Sequence, residues 1–224
     1  RSRPGLPARI GSVLFKGVRE VESDRRPLAD WWEAQNRAAL EESGPLWLVF
    51  GDSASQGLGA SEPEAGYVPR VRTRLRERTG EPWRVLNLSV TGAKMADVVD
   101  RQLAAWASVA VEAQLVTSFV GANDLLYPWG TDGAVRDAER LVAELPVGTL
   151  QSKMGGGPPS RPKASAVNDV LRSARDRGHL DLFQPWDWPS MSGAWAADRF
   201  HPNDVGYGHL TEAVWKAVEP AVGG

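Results

Sequence analysis

The chain has 224 residues, is 42% hydrophobic and 24% charged, and carries a net charge of −2. These are ordinary globular proportions, with length for one α/β domain with a substantial core or two small ones, and they give no electrostatic case for nucleic acid or an anionic membrane. The absence of cysteine excludes disulfides, thiolate metal sites and cysteine nucleophiles, and no run approaches the roughly 18 apolar residues that a spanning helix needs.

Residues 1–28 mix Arg, Pro and Gly with a short apolar piece, Ile10 to Val18, and read as an irregular arm or a short amphipathic helix lying on the domain. Arg25-Arg26-Pro27 reads as a break. Ala29 to Ser43 then reads as a helix, apolar at Trp31, Trp32, Ala39 and Leu40 and stopped by Gly44-Pro45. Residues 1–45 are thus expected to form an arm and helix packed on the domain proper, 46–224. No secretory apolar region is visible at the start, which favours the cytoplasm. The chain opens on Arg1 rather than Met, so export stays open.

Leu46 to Phe50 is an unbroken apolar run ending abruptly in Gly51-Asp52-Ser53. It reads as a strand covered on both faces, stopping at a tight turn. Tyr67 to Arg78 reads as a helix with Val68, Val71 and Leu75 on one face, and its arginines form either an anion site or a solvated outer face. Trp83 to Val90 is a second strand, followed by Thr91-Gly92-Ala93, and Met95 to Ala107 is a helix. Gln114 to Val120 is a third strand, ending at Gly121-Ala122-Asn123-Asp124, and Ala134 to Leu145 is a helix. Val147 to Met154 reads as a fourth strand despite its polar residues. Gly155 to Arg161 reads as a surface loop, Ala164 to Arg177 as a helix and His179 to Phe183 as a short strand. A loop rich in Trp and Pro runs from Gln184 to Ala197, and a final helix carries Leu210, Val214 and Val218 with Asn203 or Asp204 as its cap. This alternation of strand and helix predicts a three-layer α/β/α sandwich around a central, mainly parallel sheet.

In such a sheet the clusters Gly51-Asp52-Ser53, Thr91-Gly92 and Gly121 to Asp124 emerge on one edge, where ligands bind. Asp52 or Ser53 could simply cap the next helix. Ser53 could instead be a nucleophile if a base reaches it. His201 precedes Pro202, so it is pushed out of helical geometry and onto a loop. Asp198, three residues earlier, is placed to fix one imidazole nitrogen and leave the other as a base. His179 and His209 read as structural or surface residues. With no cysteine and no His-Glu-x-x-His pattern, neither a metal nor another cofactor is expected.

On these residues the chain resembles the GDSL-type esterases and lipases, the SGNH hydrolases. The nucleophile block matches Gly51-Asp52-Ser53 with Ala54 where leucine is usual, the second block's glycine matches Gly92, the third matches Gly121-Ala122-Asn123-Asp124, and the last matches Asp198-Arg199-Phe200-His201 with Pro202. The blocks span residues 47–209 in the family's order, so residues 1–45 lie outside the resemblance. The resemblance implies an SGNH hydrolase, flavodoxin-like fold and cleavage of carboxylic esters through an acyl-enzyme. Ser53 would attack the acyl carbonyl, His201 would shuttle the proton and Asp198 would orient His201. The backbone N–H groups of Ser53 and Gly92 and the amide of Asn123 would hold the oxyanion, and Asp52 and Asp124 would accept backbone N–H bonds near the turns. A small-molecule ester or an acylated sugar or lipid is the implied substrate. An acyltransferase or thioesterase using the same residues is the alternative. A non-catalytic binding protein is a further reading, though its expected mark, loss of one of these residues, is absent. Tyr127, Trp129, Trp186, Trp188 and Trp195 adjoin the matched blocks and either line a substrate pocket or pack the loops onto the domain.

Overall fold

The structure, a computed structural model, describes residues 16–126, 130–156, 158–185 and 193–223. Among these, five strands form one sheet: β1 (Leu46–Gly51), β2 (Arg84–Asn87), β3 (Leu115–Phe119), β4 (Thr149–Ser152) and β5 (Leu180–Phe183). Their order is β2-β1-β3-β4-β5, and every pair is parallel. The expected sheet was mainly parallel; the observed one is wholly so. This is the flavodoxin-type order, with its topological switch at β1.

The helices follow from that order. Helix α1 (Arg25–Glu41) precedes β1, and the four-residue α2 (Ser53–Gln56) follows it. Helix α3 (Tyr67–Thr79) makes the crossover to β2. The segment between β2 and β3 holds α4 (Met95–Asp97), a π-helical turn (Val98–Gln102) and α5 (Leu103–Val109). The short α6 (Ala122–Leu125) and α7 (Thr131–Glu144) lead to β4, α8 (Arg161–Asp176) leads to β5, and α9 (Asp204–Val222) comes last. Parallel crossovers are right-handed. Stepping from β1 to β2 therefore puts α3 on one face, and stepping the other way, through β3, β4 and β5, puts the intervening helices on the opposite face.

The core divides accordingly. Trp47 and Val49 of β1 pack with Leu28 and Trp32 of α1, Val71 of α3 and Leu210 and Val214 of α9. Leu46, Leu48 and Phe50 pack with Met95, Val98, Leu141 of α7 and Val167 of α8. Alternate side chains of one strand thus feed two layers of core, which is why the sequence of β1 is apolar throughout. By area, a fully buried residue of this size contributes about 1.5–3 kcal/mol. None of the described helices is long and apolar enough to cross a membrane.

Some boundaries differ from the sequence expectation for physical reasons. Pro27 does not break the chain; it lies in the first turn of α1, where its missing N–H would have had no intrahelical partner. The helix expected over residues 95–107 is interrupted by the π-helical turn. Residues 16–23 are helical as well, and Val21 joins the α1 side of the core.

Candidate active site

Strand β1 delivers the chain to the switch point, and Gly51 ends it in a space that admits no side chain. A Cβ there would lie 2.2 Å from Ser55 Oγ and 2.7 Å from the Phe119 carbonyl oxygen. Gln102 fixes Gly51 from the side. Its Oε1 accepts from the Gly51 N–H at 2.9 Å, and its Nε2 donates to the Gly51 carbonyl at 2.8 Å. The next residue, Asp52, caps α2 by accepting from the Ala54 N–H at 3.0 Å. The capping role falls to Asp52, which leaves the Ser53 hydroxyl for another partner.

That partner comes from the far end of the chain. The residues before α9 double back so that the Ala196 N–H donates to the His201 carbonyl at 2.8 Å, and Asn203 caps α9 by accepting from Val205 N and Gly206 N. Within this turn one oxygen of Asp198 accepts from the backbone N–H groups of Phe200 and His201, at 2.9 and 3.0 Å. The other oxygen lies 2.6 Å from His201 Nδ1. A carboxylate only accepts, so Nδ1 carries the proton and Nε2 is left bare. Nε2 lies 2.9 Å from Ser53 Oγ, where it can accept the hydroxyl proton. Both side chains of the Asp198–His201 pair are largely buried, 7% and 11% exposed. Burial acts to raise Asp198, but the hydrogen bonds from the His201 ring and the two backbone N–H groups overcome it and hold the carboxyl below its ordinary range. Gly59 lets the loop come this close. At φ +94° it presents a hydrogen where a Cβ would meet the Pro202 carbonyl oxygen at 2.6 Å and His201 Cβ at 2.9 Å.

The ends of the neighbouring strands contribute polar groups. The backbone N–H groups of Ser53 and Gly92 have no acceptor among the described residues. Asn123 Nδ2 donates to the Ala93 carbonyl at 3.0 Å and lies 3.4 Å from the second oxygen of Asp52. Burial raises the Asp52 carboxyl to about 7, helped by the nearby Asp124, against the lowering effect of the Ala54 N–H. Burial likewise raises Asp124 to about 6; its carboxylate accepts from the Met95 N–H at 3.2 Å, and its carbonyl accepts from Lys163 Nζ at 3.0 Å.

Ser53 and His201 open into a cleft of about 430 Å³ walled by Ala122, Leu125, Leu126, Phe200 and Trp195, a volume suited to a small molecule. Gly155, Gly156 and Ser160 line it too, so the segment expected as a plain surface loop forms part of the cleft wall. Gly92 and Asn123 are not among the lining residues. Trp195 is brought to the cleft, whereas Tyr127, Trp129, Trp186 and Trp188 lie outside the described residues. His179 sits away from the cleft with Nε2 3.1 Å from the Leu145 carbonyl, and His209 is exposed on α9.

Sequence reasoning missed the residues that hold these groups in place. Gln102 is one. Gln56 is another: its Oε1 accepts from the backbone and hydroxyl of Thr91, beside Gly92, and its carbonyl accepts from the Trp32 indole at 2.8 Å. Asn87 donates to the Ser55 carbonyl at 2.9 Å. Asn87 shows a sequence signal, polarity inside an otherwise apolar strand, whereas Gln56 and Gln102 sit among other polar residues; all three are buried, so their hydrogen bonds are obligatory.

With the geometry in hand, comparison with known proteins is informative. The model of the GDSL-like lipase/acylhydrolase family matches residues 49–209. No curated protein sequence matches the chain. Among solved structures, that of TesA is similar with a TM-score of 0.63 at 25% identity, covering 79% of this chain and 99% of that one. The psychrotrophic esterase EstA from Pseudoalteromonas sp., inhibited by monoethylphosphonate, aligns with a TM-score of 0.60 at 20% identity, covering 80% and 99%. The lipase Lip_vut3 from a goat rumen metagenome gives 0.66 at 15% identity, covering 77% and 97%. The last two likenesses concern the fold.

Proposed function

The chain belongs to the GDSL-like lipase/acylhydrolase family and is a carboxylic ester hydrolase, and from that premise we propose that it works through an acyl-enzyme on Ser53. His201 Nε2 takes the Ser53 proton as Oγ attacks the acyl carbonyl. The imidazolium then gives that proton to the departing alcohol oxygen, leaving the acyl group on Ser53. Water repeats the sequence and releases the acid. Asp198 keeps the proton on Nδ1 and stabilises the imidazolium without itself becoming protonated. The observation that carries this reading is the unbroken chain of contacts from Asp198 through His201 to Ser53, 2.6 and 2.9 Å long, whose last two members line the cleft.

The oxyanion falls to the N–H groups of Ser53 and Gly92 and to the Asn123 amide, supported by the unpartnered state of the first two. One Asn123 proton is held only by the 3.4 Å approach to Asp52, at the long edge of a hydrogen bond, and a substrate oxyanion is the stronger acceptor. Such donors are commonly worth about 3–4 kcal/mol in the transition state. The substrate is a small-molecule ester. Hydrolysis of a p-nitrophenyl series from acetate to palmitate tests this reading, with Ser53→Ala alongside. The expected result is activity lost in the variant and an optimum well short of palmitate, given the size of the cleft. Unimpaired hydrolysis by Ser53→Ala would overturn it.

A further inference from the structure

Beyond the triad, the cleft carries one feature that ester hydrolysis by itself leaves unused. Arg199 stands between Asp198 and His201 and lines the cleft together with Ser53. It also lines an adjoining hollow of about 520 Å³, with Lys16, Glu20 and Trp195 on its walls. Its backbone is left-handed, φ +59°, a conformation that glycine adopts freely and arginine adopts only under strain. Strain retained beside a reactive site points to use of the side chain so displayed.

From this geometry, and resting on the serine-hydrolase reading above, we infer that Arg199 is a specificity residue that selects esters whose alcohol portion carries a negative charge. Arg199 is exposed, and no carboxylate pairs with its guanidinium among the described residues. Arg140 and Arg172, by contrast, are held by Asp100 and Asp169. The carboxylate next to Arg199 in sequence, Asp198, is committed to His201. Among the described residues, the other titratable groups on the cleft wall are His201 and Asp52, and burial raises the Asp52 carboxyl to about 7. In the adjoining hollow Lys16 adds a second positive charge and Glu20 opposes it. The cleft therefore presents a cation that a bound anion can claim without breaking an existing ion pair.

The side of the substrate follows from the chemistry. The alcohol oxygen must leave beside His201 Nε2, the group that protonates it. Arg199 precedes His201 by two residues in the same turn. The apolar residues Ala122 and Leu125 share the short helix α6 with Asn123 and line the cleft, which assigns them to the acyl side, next to the proposed oxyanion donor. A carboxylate or phosphate on the alcohol is thus the group that meets the guanidinium, whose fork of N–H donors matches two oxygens of either anion.

The test compares kcat/KM for 4-acetoxybenzoate with that for its methyl ester, which share an acetyl group and differ in charge on the leaving phenol. Arg199→Gly removes the charge and relieves the backbone. It is expected to lower the anionic-to-neutral ratio by roughly threefold or more, while Tm stays level or rises by up to about 3 °C. Arg199→Glu is expected to lower the ratio further. Raising salt from about 20 to about 500 mM should shrink the wild-type ratio and leave that of Arg199→Gly nearly constant, because screening acts on the charge alone. A ratio unchanged in both variants, or equal losses on both esters, would overturn the inference. If a fluorophosphonate probe fails to label Ser53 in the folded protein, the serine-hydrolase reading falls and this inference with it. Labelling without turnover of the anionic ester overturns the inference alone.

Discussion

Gln102 offers the sharpest perturbation of the architecture behind Ser53. It is 2% exposed and is bound to both the N–H and the C=O of Gly51. Replacing it with Met keeps much of the volume and removes both bonds. The Gly51 N–H then has no acceptor, which costs about 1–3 kcal/mol, and the lost bond to the carbonyl adds about 1 kcal/mol. The carbonyl keeps its bond from the Val90 N–H at 3.2 Å, so the second loss is the smaller. The total, about 2–4 kcal/mol, corresponds to a fall in Tm of about 5–15 °C for a chain of this length. Gln102→Glu separates the two bonds. Its carboxylate still accepts from the Gly51 N–H but faces the Gly51 carbonyl without a proton to donate. Protonation restores the donor, so the folded state holds the proton more tightly than the unfolded chain. The folded pKa is raised, and the stability so gained is full below the unfolded value near 4.3 and lost as pH rises through the folded one. Thermal melts by circular dichroism between pH 4.5 and 8 should show Gln102→Glu approaching wild type at the acid end and Gln102→Met displaced throughout. Because Gly51 leads directly into Asp52 and Ser53, kcat/KM measured well below Tm should drop about tenfold in Gln102→Met. A Gln102→Met protein melting within about 1 °C of wild type would refute the reasoning.

Two further outcomes follow from the same site. Asn123→Ala should fold normally and lower kcat far more than it raises KM, because the oxyanion exists only in the transition state; an unchanged kcat would remove Asn123 from that role. Asp52, raised from 3.8 to about 7, binds its proton in the folded state where the unfolded chain has released it. It therefore costs stability as pH rises from about 4 to 7, on the order of 4 kcal/mol in full. Asp124, raised to about 6, acts in the same direction over a narrower window. Wild-type Tm should fall by roughly 10 °C between pH 5 and 7.5, and Asp52→Asn should remove the larger part of that slope. A slope undiminished in the variant would show that Asp52 is not its source.

The parts of this fold that sequence discloses are those governed by short-range rules. The apolar run Leu46 to Phe50 reads as a strand buried on both faces, and the two cores it feeds are seen on either side of it. Asp198 and His201 are three residues apart with a proline next, so one turn brings carboxylate and imidazole together. What escaped depends on contacts between distant elements or on backbone geometry. The π-helical turn Val98–Gln102 occurs in a stretch whose periodicity reads as regular helix, yet Gln102 bonds to Gly51 across 51 residues of chain. Pro27 looked like a break because its place within a helix, the first turn or the interior, is fixed by where α1 begins and not by the proline. The placing of Gly155 and Gly156 on the cleft wall is a consequence of β4 ending beside β3, which composition does not reveal.

The most direct test of Ser53 as the nucleophile is intact mass measurement of the protein mixed rapidly with p-nitrophenyl acetate and quenched in acid, with peptide mapping of any adduct. The mechanism above predicts a transient gain of one acetyl group on the peptide carrying Ser53, absent from Ser53→Ala and longer-lived in a variant slowed at deacylation. Turnover of the ester with no acyl adduct on Ser53, or an adduct on another residue that persists in Ser53→Ala, would contradict it.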